Sequence, residues 1–273
     1  MGATVSRIRV SGCRGAEHKA DVIKNVEQRA ETTGLRPFHI VPWGDLKNAA
    51  LDRCADPVHP RTMVQIPDFS FEEAALARGL TRIAGVDEVG RGPLCGPVTA
   101  AAVVLDPARI PDGLNDSKKL SAKRRADLAG QIMESADWCV AHASVEEIDE
   151  INIYHAAHLA MCRAVAGLAQ KPDHVLVDGN RVPRDLGLSA EPIVKGDARS
   201  LSIAAASILA KEARDLLMVD LAQQYPGYGW ERNAGYPTKD HLQALLDLGV
   251  TPVHRRSFKP VHNILCQAKS VTP

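Results

Sequence analysis

The sequence predicts an α/β protein with a mixed sheet of five strands flanked by helices. Two observations indicate this class. Three apolar strands come first and read as an antiparallel meander, and the strands that follow alternate with long helical segments. The chain has 273 residues, 45% of them hydrophobic, so it is long enough to bury the core of one large domain and to carry an appendage.

The strands are predicted from apolar runs bounded by glycine, proline or charged residues. The link between the first two runs is short enough for an antiparallel hairpin. The second run is apolar on both faces, which is typical of a strand covered on both sides. The predicted strands are Thr81–Val89, Pro97–Leu105, Asp137–Val145, His174–Val177 and Glu191–Val194.

The helices are predicted from apolar residues at helical spacing. Ser121 is a residue type that caps helix N-termini. The run Ala204–Ser207 has small side chains, so its helix is expected to lie close against the sheet. The predicted helices are Phe71–Leu80, the segment from the cap Ser121 to Ser135, Val145–Ala169, Ser200–Gln223 and Lys239–Leu248.

Residues 1–70 have a different character from residues 71–273, which we expect to form the main domain. In the N-terminal part acids and bases alternate, apolar periodicity is weak, and Pro or Gly recurs. We expect an extension that is partly disordered or loosely docked, with one short polar helix at Lys19–Thr32. A small substrate-binding domain is the alternative, but the segment has few aromatic residues and no repeated strand pattern.

The overall composition excludes several classes of protein. The formal net charge is +0 and the isoelectric point about 7.1, so any binding of nucleic acid must come from local basic clusters. The six cysteines are scattered without CxxC spacing, which argues against a zinc site or a disulfide framework and favours a reducing cytoplasm. No apolar run approaches the roughly 20 residues of a membrane span, and no secretory signal is evident.

The segment Ile83–Gly96 contains the first candidate site. Asp87 and Glu88 are adjacent inside an apolar strand, although acids are rarely buried unless they are paired or bound to a metal. Neighbouring side chains on a strand point to opposite faces, so both acids reach one site only if the backbone bends. The Gly90–Pro93 segment supplies backbone freedom. Acids solvated at the tip of a hairpin are the alternative.

Two more acids follow predicted strands. Asp178 comes after the fourth strand and Asp197 after the fifth. Strand ends near a switch in strand order are common binding sites in α/β sheets. If these acids meet Asp87 and Glu88, divalent cations would remove their mutual repulsion, and two such ions suit phosphodiester hydrolysis. The alternatives are an ordinary turn at Asp178 and a helix cap at Asp197.

Basic residues lie in the loops near these acids, where they could bind phosphate without reading sequence. Basic residues on helices are common on any protein surface. The better candidates for phosphate binding are therefore the loop residues Lys118, Arg181 and Lys195. His155 and His158 have no partnering motif, so we predict no histidine metal cluster. The basic clusters are Lys118–Lys119, Lys123–Arg125, Arg181 with Arg184, Lys195 with Arg199, and Arg255–Arg256.

Six motifs, in order, give the chain a family resemblance over about Thr81–Leu265. It resembles type 2 ribonuclease H, the bacterial ribonuclease HII. Type 3 ribonuclease H carries an additional N-terminal domain, but it has Gly-Thr-Gly where this chain has Gly90-Arg91-Gly92, so Arg91 favours type 2. The motifs are GVDEVGRGPLCGPV, LNDSKKLS, VLVDGN, VKGDARSLSIAAASILAKEARD, YPGYGWERNAGYPTKDH and HRRSFKPV.

The resemblance implies a ribonuclease-H-like sheet with a C-terminal helical part. It implies a monomeric endonuclease that uses two Mn²⁺ or Mg²⁺ ions on RNA/DNA hybrids and on ribonucleotide-containing duplex DNA. The cut falls 5′ of the ribonucleotide and leaves a 3′-hydroxyl and a 5′-phosphate. Its four catalytic and metal-binding acids correspond to Asp87, Glu88, Asp178 and Asp197.

The resemblance also implies substrate contacts. Gly90, Arg91 and Gly92 would line the ribose 2′-hydroxyl, the group that distinguishes RNA from DNA. Tyr236 would stack on the deoxyribose beyond the ribonucleotide. Ser117 and Lys118 belong to a loop near the backbone phosphates.

Two questions stay open at the level of sequence. Arg255, Arg256 and Phe258 match a tail motif with a role in packing or in phosphate contact. The alternatives to a ribonuclease are another nuclease of the same fold that acts on DNA, and a hybrid-binding protein without catalysis.

Overall fold

The computed structural model describes residues 66–270. Five strands form one sheet, and helices lie on both of its faces. The strands are β1 Ile83–Val89, β2 Val98–Val104, β3 Asp137–Ala143, β4 His174–Asp178 and β5 Ser189–Ile193. The helices are α1 Ser70–Ala77, α2 Ala122–Ser135, α3 Val145–Ala166, α4 Leu201–Gln224, α5 Trp230–Asn233, α6 Lys239–Leu248 and α7 Lys259–Ser270.

The strand order is β3-β2-β1-β4-β5. The three N-terminal strands pair antiparallel, as the predicted meander requires, and β4 and β5 join β1 in parallel. The predicted mixed sheet of five strands is therefore confirmed. The predicted helix Lys19–Thr32 lies outside the described residues, and the division of the chain at residue 70 stays a prediction.

β2 is covered on both faces, because its alternating residues enter two separate clusters. Ala100 and Ala102 pack with residues of α3 on one face of the sheet. Ala101 and Val103 pack with residues of α2 and α4 on the other face. All seven residues of β2 are buried, as the continuous apolar run predicted.

α3 departs from the single helix predicted for Val145–Ala169. Asn152 has φ 64° and ψ 163°, so the helix is interrupted there. The Asn152 side chain accepts hydrogen bonds from the N–H groups of Tyr154 and His155, which caps the second half of the helix. The helix is interrupted because the Asn152 side chain bonds to nearby backbone N–H groups in competition with the helical hydrogen bonds. The spacing of apolar residues does not reveal such an interruption.

α7 was not predicted. Pro260 occupies its first turn, where the N–H groups have no partner within the helix and proline is tolerated. Among residues 66–270, no helix has both the length and the apolar character that crossing a membrane requires.

β1 and α4 approach each other closely at Gly85. A methyl group at this position would lie 2.2 Å from the carbonyl carbon of Ser202 and 2.4 Å from the nitrogen of Ile203. Both neighbours are backbone atoms of the first turn of α4, so neither can rotate away. The small side chains of Ala204–Ala206 continue the same tight contact. This contact fixes α4 against the sheet and fixes the segment that precedes α4.

The close contact predicts that one methyl group added at Gly85 lowers the stability of the fold strongly. Gly85→Ala is expected to lower the free energy of unfolding by at least about 2 kcal/mol, because the added carbon overlaps backbone that cannot move independently. Gly130→Ala is the control, since no atom lies within 4 Å of its added methyl group.

Because Gly130 lies inside α2, its replacement by alanine is expected to stabilise the protein by up to about 1 kcal/mol. Urea unfolding of both variants measures the two effects. Equal stability of the Gly85→Ala variant and the unsubstituted protein would contradict the packing described for β1 and α4.

Candidate functional site

The parallel pairing of β1 with β4 brings the first three acids together. The register matches Val86 with Val177, so the next residues, Asp87 and Asp178, lie side by side at the carboxyl ends of the two strands. One carboxylate oxygen from each of Asp87, Glu88 and Asp178 lies within 4.8 Å of the others. The predicted meeting of these three acids therefore occurs in the structure.

The strand remains regular through the adjacent acids. Asp87 pairs with Ala101 and Glu88 with Ala100, so the ladder to β2 is not interrupted between them. The sequence predicted a bend at the acids, but the first positive φ follows them, at Gly90 with φ 93°. Asp87 Oδ1 accepts the N–H of Glu88 at 2.7 Å, which holds the Asp87 carboxylate beside its own backbone.

Asp197 approaches from the short 3₁₀ turn Gly196–Ala198 that precedes α4. Lys195 adopts the left-handed conformation with φ 56°, and the N–H of Gly196 donates to Asp178 Oδ1 at 2.7 Å. The turn is thereby tied to the third acid. Asp197 is not part of the three-residue group within 4.8 Å, but its negative charge raises the pKa of Asp87.

The carboxylates disfavour one another's ionisation. Burial raises the pKa of Asp87 well above its usual value, and the charges of Asp178, Glu88 and Asp197 raise it further. Burial also raises the pKa of Glu88, against the opposing effect of Arg91. The pKa of Asp197 is raised by burial and by the charges of Asp116 and Asp178, while Lys118 opposes the shift. A cluster of this kind is stabilised by bound cations.

The oxygen-only donor set fits hard divalent cations such as magnesium or manganese. The nearest positive side chains lie at its edges. Arg91 Nη1 is 3.2 Å from Glu88 Oε1, and Lys118 Nζ is 3.6 Å from Asp197 Oδ2. Both side chains are at least half exposed, and within residues 66–270 no basic side chain lies within 4.0 Å of a carboxylate oxygen of Asp87 or Asp178. The centre of the cluster is thus left for a cation.

The Gly90–Pro97 loop and Tyr236 form a surface next to the acids. A methyl group on Gly92 would lie 3.3 Å from Cε1 of Tyr236, so the tyrosine ring packs against the glycine. The Tyr236 side chain is 42% exposed, which leaves part of its ring free for a ligand. The Gly-Arg-Gly loop and Tyr236 are far apart in the sequence but adjoin each other in the structure. Both were predicted to contact the substrate.

Ser117 and Lys118 have different environments. Ser117 is 4% exposed, and its hydroxyl accepts a hydrogen bond from Ser207 of α4 at 2.8 Å. Lys118 is largely exposed and points to Asp197. Ser117 thus anchors the loop, whereas Lys118 is accessible. The contacts predicted for both residues with phosphates stay predictions.

The helical basic cluster Lys123–Arg125 is not a uniform surface patch. Arg125 is 8% exposed, and its Nε lies 2.8 Å from Glu212 Oε1. A second guanidinium nitrogen lies 3.5 Å from Asp215 Oδ2. Arg125 joins α2 to α4 and is not available to bind phosphate.

Two histidines that no sequence motif connected lie together with a cysteine in the structure, and the prediction that no histidine metal site forms stays a prediction. Cys95, His241 and His254 are buried with potential ligand atoms within 4.8 Å of one another. The indole N–H of Trp230 donates to His241 Nε2 at 3.0 Å, and the N–H of Thr251 donates to His254 Nδ1 at 3.0 Å. Burial lowers the pKa of His254 to about 4 and raises that of Cys95 to about 12.

These bonds occupy the nitrogens that a cation would need. His241 Nδ1 donates to the carbonyl of Tyr236 at 3.0 Å, and its Nε2 is 3.2 Å from Nε2 of His254. The cluster is therefore a hydrogen-bonded core of neutral rings that holds the backbone of Tyr236. No local sequence pattern indicates this cluster, because its members belong to separate segments.

The sequence also missed two residues near the site. Asp116 is a neighbouring charge of Asp197, and its place beside Ser117 in the LNDSKKLS motif was the available signal. Arg214 of α4 is fully buried and donates to the carbonyl of Cys95 at 3.2 Å. Its helical position offered no signal, since an arginine on a helix is most often exposed.

Comparisons with known proteins agree with this geometry. The family model described as Ribonuclease HII matches residues 84–261. The ribonuclease HII of Paracoccus denitrificans (strain Pd 1222) is 70% identical over 206 residues, which are 76% of this chain and 98% of that protein. The ribonuclease HII of Ruegeria sp. (strain TM1040) is 72% identical over 201 residues, covering 74% of this chain and 88% of that protein.

A similar fold is found among solved structures. The crystal structure of ribonuclease H2 from Pyrococcus horikoshii OT3 matches with a TM-score of 0.60 and 27% identity. The match covers 69% of this chain and 99% of that chain. The family resemblance of the motifs and the predicted ribonuclease-H-like sheet are both confirmed. This chain therefore belongs to the ribonuclease HII family, type 2 ribonuclease H, and is an endoribonuclease whose products carry a 5′-phosphate.

Proposed function

We propose that this chain cuts RNA/DNA hybrids and duplex DNA containing single ribonucleotides, on the 5′ side of the ribonucleotide, in a reaction that requires divalent cations. The products are a 3′-hydroxyl and a 5′-phosphate. The observation that carries the proposal is the contact between two different surfaces. A cluster of buried acids lies at the end of β1, and the Gly90–Gly92 loop with Tyr236 continues directly from it.

The acids are suited to hold the cations. Asp87, Glu88, Asp178 and Asp197 offer only oxygen ligands. The raised pKa values of Asp87, Glu88 and Asp197 mark a site that lacks enough positive charge. When bound, two divalent ions, magnesium or manganese, activate a water molecule and stabilise charge on the leaving oxygen. Asp87 is influenced by the charges of all three other acids, so it would hold the cations together with them.

The other three acids are assigned to two sides of the scissile phosphate. Glu88 and Asp178 are assigned to the side of the leaving 3′-oxygen, and Glu88 is paired with Arg91 of the loop that would hold the ribonucleotide. Asp197 belongs to the side where water attacks. Lys118, 3.6 Å from Asp197, can neutralise charge on the neighbouring phosphate. Hydrolysis by water requires no covalent intermediate, and no serine or cysteine takes part.

Recognition of the ribose is assigned to the loop and the tyrosine. Gly90 and Gly92 have no side chains, so their backbone can approach the 2′-hydroxyl closely. Arg91 is half exposed and can reach the substrate while its guanidinium remains near Glu88. The exposed part of the Tyr236 ring can stack on the deoxyribose that follows the ribonucleotide. Such a surface favours a junction between RNA and DNA over uniform DNA.

The central test is Asp87→Asn, which keeps the size of the side chain and the oxygen that accepts the N–H of Glu88. Cleavage of a duplex with one embedded ribonucleotide is expected to fall by at least about 1,000-fold, since shared metal ligation supplies several kcal/mol to the transition state. Mapping of the products of the unsubstituted enzyme on a sequencing gel should place the cut 5′ of the ribonucleotide.

The same duplex with deoxyribose at every position is the matched substrate. Efficient cutting of this all-DNA duplex would support a DNA nuclease of the same fold and overturn the proposed specificity. Normal turnover by the Asp87→Asn variant would overturn the proposed role of the acids.

The raised carboxylate pKa values predict how protons and cations affect stability. In the absence of divalent ions, the folded state binds more protons than the unfolded state at these groups. Their contribution to stability is therefore present at acidic pH and is lost as the pH rises through the folded-state pKa values. At neutral pH, Asp87→Asn should raise the unfolding midpoint of the metal-free protein by at least about 2 °C.

This difference should shrink as the pH is lowered toward 4, close to the ordinary pKa of aspartate. Addition of magnesium or manganese at neutral pH should stabilise the unsubstituted protein more than the Asp87→Asn variant. Thermal unfolding with and without a chelator measures both effects. A variant that is less stable than the unsubstituted protein without metal would contradict the repulsion described for the acids.

The proposed role of Tyr236 predicts that its loss slows cleavage at an RNA–DNA junction more than cleavage within a hybrid. Tyr236→Ala should slow cleavage at a single embedded ribonucleotide by about 10- to 100-fold, in the range expected when an aromatic stacking partner is removed. Cleavage within a long RNA/DNA hybrid should fall less, because no deoxyribose follows the cut site in the RNA strand. Tyr236→Phe keeps the ring and should retain most of the activity. Equal losses on both substrates would show that the ring has no role at the junction.

A further inference from the structure

Arg255 lies beneath the Gly90–Pro97 loop. Its side chain is 0% exposed and makes five hydrogen bonds, all to backbone carbonyls of that loop. The acceptors are the carbonyls of Gly90 at 2.6 Å, Pro93 at 2.8 Å, Gly96 at 2.9 Å, Arg91 at 3.2 Å and Pro97 at 3.2 Å.

Among the described residues 66–270, no carboxylate is bonded to this guanidinium. Asp149 is close, but its oxygens accept the backbone N–H groups of Arg256 and Ser257 and the Ser257 hydroxyl. Burial, together with the positive charge of Arg214, lowers the pKa of Arg255 to about 9. A buried cation without an ion-pair partner is unfavourable, so its value to the fold lies in the directed bonds that it makes.

The carbonyl directions determine where the amide groups point. A trans peptide directs the carbonyl of one residue and the N–H of the next to opposite sides, and the described chain has no cis peptide bond. The carbonyls of Gly90 and Arg91 point inward to Arg255. The N–H groups of Arg91 and Gly92 must therefore point away from it, on the side of the loop opposite the guanidinium.

These two N–H groups are available to a ligand. In the part of the chain that the structure describes, neither of them donates a hydrogen bond to a protein acceptor. The Tyr236 ring borders Gly92. Two outward donors next to an exposed aromatic ring are suited to a hydroxyl group on a sugar.

We propose that Arg255 is a positioning residue for ribose recognition: it turns the peptides after Gly90 and Arg91 so that their N–H groups face the 2′-hydroxyl. This inference rests on the proposed function, because the ligand of the two amides is the ribonucleotide. Arg255 itself does not contact the substrate. The tail motif thereby acquires a role in specificity through the loop that it supports.

The planar guanidinium explains why this position holds arginine. Arginine presents five N–H donors on three nitrogens in a fixed fork, and these nitrogens make five hydrogen bonds to carbonyls of one short loop. Lysine has three donors on one nitrogen and cannot bond carbonyls spread around a plane. Arg255→Lys keeps the charge and removes the fork, so it separates directed bonding from electrostatics.

The experiment measures binding in the Asp87→Asn background, where cleavage is expected to be absent. Fluorescence anisotropy gives the dissociation constants for a duplex with one ribonucleotide and for the matched all-DNA duplex. Adding Arg255→Lys should reduce the preference for the ribonucleotide by at least about fivefold, in line with the loss of one hydrogen bond. Affinity for the all-DNA duplex should change little, because phosphate contacts do not involve Arg255.

Arg109→Lys is the matched control. Arg109 is an exposed arginine beyond the far end of β2 that bonds Asp106 and the carbonyl of Ser135, and its replacement should leave the preference unchanged. An unchanged preference in the Arg255→Lys variant, or an equal loss of affinity for both duplexes, would overturn the inference.

Arg255→Lys could unfold the protein, so a second measurement uses the Asp87→Asn chain with Arg255 intact. The amide resonances of Arg91 and Gly92 should shift when the ribonucleotide duplex binds and stay in place with the all-DNA duplex. Equal shifts with both duplexes would overturn the inference. Cleavage mapping of the unsubstituted enzyme tests the proposed function separately. The proposed function can therefore be confirmed even when the binding measurements contradict the role of Arg255.

Discussion

The parallel register of β1 and β4 is the constraint on which the site depends. It sets Asp87 beside Asp178, and the hydrogen bond from Gly196 to Asp178 then brings the turn with Asp197 to the same place. A slip of one residue in β4 would turn Asp178 to the opposite face of the sheet and separate the acids. The tight contact between Gly85 and the first turn of α4 opposes such a slip, because it fixes the helix that follows Asp197.

The site combines two kinds of buried charge with opposite requirements. The acids repel one another, and within residues 66–270 no basic side chain pairs with Asp87 or Asp178, so bound cations would stabilise the folded protein. The buried arginines Arg214 and Arg255 are satisfied by backbone carbonyls and need no counter-ion. The acids are the groups for which a bound cation is proposed, and the arginines hold the backbone of the Gly90–Pro97 loop in place. The two regions meet at the short segment from Glu88 to Gly92.

A second layer of support lies under Tyr236. His241 donates to its carbonyl, Trp230 donates to His241, and His254 adjoins both. The rings are buried and neutral, so they fix the tyrosine backbone without adding charge near the phosphates. The exposed ring of Tyr236 is thereby attached to a well-supported backbone, which suits the role in sugar recognition that we propose for it.

The sequence by itself determined the strands, most of the helices, the family and the meeting of Asp87, Glu88 and Asp178, because apolar runs that end in carboxylates, glycine-rich turns and the family motifs are local patterns. It did not determine the break at Asn152, the helix Lys259–Ser270, the histidine core or the environment of Arg125 and Arg255. Each of these depends on a partner distant in the chain or on a side chain that competes with backbone pairing. The same residue type thus has two roles: Arg109 lies on the surface, and Arg255 is buried and supports a loop. Only the tertiary structure decides between such roles, because burial and hydrogen-bond geometry arise when separate segments pack together.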